Sequence, residues 1–126
     1  MSKFDELHGV IGDYLDGLYD GDVEKLDRVF HPRAIYATAD EAEPLYRNMG
    51  EYFPVVAERL SPAERDESRN GDIDDIQFAG ENTAFARVRT AMLGRDFVDF
   101  LSFVREDDRW LIIAKVFHFA EREIQP

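Results

Sequence analysis

Apolar side chains recur at Phe4, Leu7, Ile11, Tyr14, Leu15 and Leu18, the spacing of a helix with one buried stripe. Gly9, Gly12 and Gly17 interrupt it. Each weakens a helix by up to about 1 kcal/mol relative to alanine, which close packing by a neighbour would explain. Gly21 suits a left-handed C-terminal cap, and Asp22 suits the N-cap of a second helix. That helix buries Val23, Leu26, Val29 and Phe30. It ends before His31-Pro32, because the residue preceding a proline is pushed out of the helical region. Short strands are expected at Ala34 to Thr38 and at Leu45-Tyr46. Met49, Tyr52, Phe53, Val56 and Leu60 form another helical stripe, with Pro54 set to kink it or to mark its start. Ser61-Pro62-Ala63-Glu64 has the form of a capping box. The run Arg65 to Asn70 has nothing apolar to bury and reads as an exposed turn or a mobile loop.

Strands follow at Ile73 to Ala79, Thr83 to Leu93, Phe97 to Arg105 and Arg109 to Ala120. Their turns fall at Gly80-Glu81-Asn82, Gly94-Arg95 and Glu106-Asp107-Asp108. Helices first and a meander afterwards predict an α+β fold, with N-terminal helices packed on a curved, mostly antiparallel sheet. The whole chain, residues 1–126, reads as one domain.

A two-residue turn at Gly94-Arg95 would set Thr90 opposite Asp99, Val88 opposite Leu101 and Ala86 opposite Phe103. Arg105 opposite Trp110 would then set Leu101 opposite Ala114 and Asp99 opposite Val116. Alternation places His118 on the face of Asp99 and Lys115 on the other. The first face collects Thr90, Met92, Asp99, Phe103, Trp110 and His118 and suits a concave surface under the helices. The second mixes Phe85, Phe100, Phe117 and Phe119 with Arg87, Arg89 and Lys115. Apolar material of that extent is unusual on a monomer, so a homodimer through the sheet is expected.

Charge narrows the field. The formal net charge is −12, which repels nucleic-acid backbones and anionic lipid; neither partner is expected. There is no cysteine, hence no disulfide, thiolate metal site or thiol nucleophile. The opening MSKFDELHGVIGDYL is broken by charges and reads as neither a signal peptide nor a membrane span; a cytoplasmic location is expected. No phosphate loop, nucleophile elbow or zinc helix is present. The histidines are too scattered to suggest a metal, and no cofactor is expected.

Tyr14 to Tyr36, YLDGLYDGDVEKLDRVFHPRAIY, and Arg109 to Phe119, RWLIIAKVFHF, resemble the opening and closing segments of the nuclear transport factor 2-like superfamily. That superfamily includes ketosteroid isomerases, scytalone dehydratase and polyketide cyclases, and the group labelled "putative lumazine-binding" is the most similar. The resemblance implies a cone-shaped, half-open barrel with an apolar pocket, usually dimeric. Tyr14 falls where the isomerases keep a tyrosine that hydrogen-bonds the substrate oxygen. The isomerase base would fall at Thr38, which cannot act as one. Asp99 lies on the strand where isomerases hold a protonated acid.

The candidate catalytic residues are therefore Asp99, His118 and Tyr14, as acid, base and oxyanion donor. Trp110, Thr90, Met92, Tyr36, Tyr52 and Phe103 are candidate ligand-binding residues. A structural reading stands beside each: a buried Asp99–His118 pair, a core tyrosine, a core tryptophan. The functional expectation is a dimeric protein binding a small apolar or aromatic molecule, with proton-transfer chemistry of the dehydratase, isomerase or cyclase type. The other reading is a non-catalytic ligand-binding or dimerisation module.

Overall fold

The computed structural model describes residues 2–122. The elements run α1 (Lys3–Asp20), α2 (Val23–Val29), β1 (Phe30–Thr38), β2 (Leu45–Asn48), α3 (Met49–Glu58), β3 (Asp72–Ala79), β4 (Thr83–Met92), β5 (Arg95–Glu106) and β6 (Arg109–Glu121). The six strands form one open sheet in the order β2-β1-β6-β5-β4-β3. Every neighbouring pair is antiparallel except β1 with β6. The helices cover its concave face, giving the expected α+β architecture.

Local chemistry sets the helix ends. Ser2 caps α1 by accepting from Asp5 N, and Gly21 ends it at φ 64°, where a side chain would be strained. Asp22 caps α2. Asn48 and Glu51 form a reciprocal capping box on α3, so that helix starts at Met49 and Pro54 lies inside it. Of the α1 glycines, only Gly17 is explained by packing: an added Cβ would meet Leu26 Cδ2 at 2.7 Å. Gly9 and Gly12 face open space.

The segment from Ser61 to Asn70 is tied down on three sides. Ser61 and Glu64 do form a capping box, but it heads a turn rather than a helix. Tyr19 Oη donates to the Glu67 carbonyl at 2.8 Å, and Leu93 N donates to Glu67 Oε1 at 2.9 Å. The Asn70 side chain pairs with both backbone groups of Ala91 at 2.7 Å, taking the place of a strand neighbour.

Two features of register differ from the expectation, with opposite consequences. The β4–β5 turn is Leu93-Gly94, at φ 55° and 77°, the positive values a two-residue turn of the primed type requires. Val88 rather than Thr90 therefore faces Asp99. This is a shift by one full pair, so the inner and outer sets of β4 and β5 are as expected. On β6 the register slips by a single residue. Phe103 pairs with Ile112, but Ser102 pairs with Ala114, which leaves Ile113 as a β-bulge. The parallel β1–β6 pairing is irregular at the same place, passing from Phe30–Ile112 to Ile35–Ala114. One extra residue exchanges the two faces for everything after it. Lys115 and Phe117 point inward with Asp99, and Ala114, Val116 and His118 point outward.

Candidate functional site

Asp99 is 1 % exposed, on the helix-covered face of the sheet. Tyr14, delivered by the buried stripe of α1, donates its hydroxyl to Asp99 Oδ2 at 2.5 Å. Lys115, brought inward by the bulge and 6 % exposed, places Nζ 4.0 Å from the same oxygen. That distance is an ion pair but not a hydrogen bond. The ammonium sits among four aromatic rings, 5.2 Å from Tyr14, 5.4 Å from Tyr36, 5.6 Å from Tyr52 and 5.3 Å from Phe117, within cation–π range of each. Tyr36 and Tyr52 stack with centroids 4.3 Å apart.

Asp99, Lys115, Tyr36 and Tyr52 border a small cavity of about 20 Å³, lined also by Thr90, Met92, Leu93, Phe97, Leu18 and Arg59. It has room for about one water. Tyr14, Phe30, Tyr52 and Met49 pack into the core under the helices, so among the described residues this cavity is far smaller than the roomy apolar pocket expected from the sequence. Asp99 Oδ1 is buried without a hydrogen-bond partner, and such an atom costs about 1–3 kcal/mol until something donates to it.

Burial pushes the Tyr14 phenol well above its ordinary value of 10.0, and the Asp99 charge pushes the same way. Burial pushes the Lys115 ammonium down. Asp99, followed by the Tyr52 and Tyr36 phenols, more than offsets this, and the net direction is upward from 10.5. Both groups therefore hold their protons through the neutral range.

Of the candidates read from the sequence, the fold brings together Asp99, Tyr14, Tyr36, Tyr52, Thr90 and Met92. His118 is elsewhere. Its side chain is 65 % exposed and Nδ1 meets Asp40 Oδ2 on the outer face. The expected Asp99–His118 pair does not form, because the Ile113 bulge turns His118 outward. Trp110 and Phe103 are on the expected face but toward its other end. Asp99 and Arg105, the partner of Trp110, are six residues apart on β5, roughly 20 Å. Trp110 packs against Phe78 there. Thr38 is buried and its hydroxyl accepts from Asp40 N at 3.1 Å. Lys115, which unbroken alternation assigns to the outer face, joins the cluster through the one-residue slip, and Arg59 joins it with no expectation behind it. Lys115 lacked only the bulge, whereas Arg59 follows α3 with no local mark of a pocket residue. Among the described residues no cluster of His, Cys, Asp or Glu is placed to hold a metal, and no helix is long and apolar enough to cross a membrane.

Solved structures share this fold. An NTF2-like protein of unknown function from Silicibacter pomeroyi superposes with a TM-score of 0.85 at 22% identity, over 95% of this chain and 100% of that one. One from Shewanella baltica gives 0.80 at 20% identity, over 95% and 98%. One from Methylobacillus flagellatus gives 0.78 at 21% identity, over 95% of each. At such identities the likeness shows the nuclear transport factor 2-like fold alone. No curated protein matches the chain. The model of the family described as "Putative lumazine-binding" matches residues 2–118, nearly the whole chain, and the protein belongs to that family.

Proposed function

We propose that the protein binds a planar small molecule at the Tyr14–Asp99–Lys115 cluster and acts as a homodimer. The observation that carries this reading is the unpartnered Asp99 Oδ1 beside a cavity walled by stacked tyrosines. A ring bearing an N–H could donate to that oxygen and replace one partner of the Tyr36–Tyr52 stack. Lumazine, the ligand in the family's description, is such a ring. A cavity of about 20 Å³ cannot hold it unless Tyr36, Arg59 or the Ser61–Asn70 segment shifts outward. Titration with lumazine, followed by its fluorescence, should saturate at one per chain. Tyr36→Leu should weaken binding at least tenfold while leaving the thermal melt within a few degrees. Absence of saturation at millimolar lumazine would remove this ligand; an unchanged affinity in Tyr36→Leu would remove this site.

Binding is better supported than turnover. A general acid or base works best when its pKa lies near the operating pH, and the Tyr14 and Lys115 protons are both held far above it. His118 is on the other side of the sheet.

The dimer reading rests on the outer face. Tyr46, Ala37, Val116, Phe100 and Arg87 form one row across five strands. Beside it run Ile35, Ala114, Ser102 and Phe85. Tyr46, Ile35, Val116 and Phe100 are each about half exposed or more. The bulge brings Ala114, Val116 and His118 to this surface and takes Lys115 and Phe117 from it. Sedimentation at micromolar concentration should give twice the 14.6 kDa chain mass, and Phe100→Glu should give the monomer. A monomeric wild type would end the proposal.

A further inference from the structure

Electrostatics around the cavity define what it would admit. The chain carries 27 acidic and 15 basic residues, and its cations are mostly taken up by carboxylates. Arg87 and Arg89 share Asp74, Arg69 reaches Asp16, and Arg95 reaches Glu41 and Glu121. Six others, Lys3, Arg28, Arg33, Arg47, Arg59 and Arg109, form no salt bridge among the described residues, and two of these lie by the cavity. Arg59 lines the cavity, close enough to Tyr36 and Lys115 to bear on the titration of both. Arg47 lies over the outer side of the Tyr36–Tyr52 stack, its guanidinium carbon 5.9 Å from the Tyr36 ring centre. Among the described residues neither arginine forms a salt bridge.

Lys115 completes the set. It lines the same cavity while 6 % exposed, and its one carboxylate partner among the described residues is 4.0 Å away, beyond hydrogen-bond reach. Asp99 is the one carboxylate bordering the cavity, and its Oδ2 already accepts from Tyr14. The lining therefore holds two cations, Arg59 and Lys115, against one anion. Among the described residues the Lys115 ammonium makes no hydrogen bond and the Arg59 guanidinium beside the same cavity forms no salt bridge, so both are free to take an anion. Both are satisfied if the occupant brings one negative charge.

We infer that the ligand is a planar aromatic monoanion, a carboxylate on a flat ring, held by Arg59 and Lys115 with the ring against Tyr36 and Tyr52. This rests on the reading of the cavity as the ligand site and adds the charge class to it. A dianion would exceed the single surplus positive charge. A cation would meet Lys115 already occupying the aromatic cage. The surplus also bears on selectivity: a net charge of −12 disfavours anions over the surface at large, so an anion gains only at this mouth.

The test compares coumarin-3-carboxylate with coumarin-3-carboxamide, which share a flat ring and differ in charge, by calorimetric titration at fixed salt. The carboxylate should bind one per chain and at least tenfold more tightly than the amide. Arg59→Gln should erase that preference. Arg33→Gln, an exposed arginine outside the cavity lining, should change neither. Equal affinities for the two probes, or a carboxylate preference that survives Arg59→Gln, would overturn the charge assignment and leave the cavity reading standing. Binding of neither probe would overturn the charge assignment, and the cavity reading would stand or fall on the lumazine titration.

Discussion

Asp99→Ala should destabilise the protein by about 3–5 kcal/mol, the range for removing one partner of a buried ion pair. Lys115 would be left almost fully buried with its one carboxylate gone, and the Tyr14 hydroxyl would lose its acceptor. Asp99→Asn/Lys115→Met removes both charges and should recover more than half of that loss, since an uncharged pair of similar bulk carries no desolvation penalty. Urea midpoints at unchanged m-value measure both. A loss below about 1 kcal/mol in Asp99→Ala would mean that the cluster carries little of the fold's stability. The pH dependence gives a second readout. In the wild type, Tyr14 and Lys115 are both raised in the folded state, from 10.0 and 10.5. Their stabilisation is therefore complete below about pH 10 and is lost as pH climbs through the raised values. In Asp99→Ala, burial acts on Lys115 with its largest opposing influence removed. The ammonium should then titrate below 10.5, and stability should rise over the interval where the wild type is still flat. Parallel alkaline profiles for the two proteins would refute this account of the lysine.

Trp110→Ala should cost about 3–5 kcal/mol, the usual range for emptying a buried aromatic site, and should leave ligand affinity unchanged. Trp110 is 3 % exposed and packs on Phe78, in the core at the end of the sheet away from Asp99. Its indole Nε1 is buried without a partner, so Trp110→Phe removes an unsatisfied donor while keeping most of the bulk. That variant should fall within about 1 kcal/mol of the wild type, because losing the orphan group offsets part of the lost contact. A stable Trp110→Ala variant with impaired binding would return the tryptophan to the floor of the ligand site. A Trp110→Phe variant as unstable as Trp110→Ala would show that the indole N–H has a partner after all.

The cost of filling the pocket with core residues also explains its small size. Phe30 lies edge-on to Tyr14 and Tyr52 at about 6 Å, and the Tyr36–Tyr52 stack closes the remaining gap. Sequence alone marks these aromatics as buried. It does not say whether they line a cavity or fill one, because both use the same residues at the same spacing.

The sequence by itself determined most of the frame. Helical spacing located α1 and α3; Gly21 and Asp22 located the break between the first two helices. Strict alternation on β4 and β5 placed Ala86, Val88, Leu101 and Asp99 on one face, and a turn displaced by one residue left that intact because the pairing moved by an even step. Tyr14 was marked by its helical stripe. Tertiary structure alone decided the partner of Asp99. Leu111-Ile112-Ile113-Ala114 is apolar at every position, so no polar residue marks which side chain faces which way. A bulge there leaves no trace in the hydrophobic pattern. Its position is fixed by the strands on either side, β5 and the parallel β1, which are distant in sequence. That one unpaired residue sends His118 to the surface and brings Lys115 to Asp99, and with it comes the charge of the site.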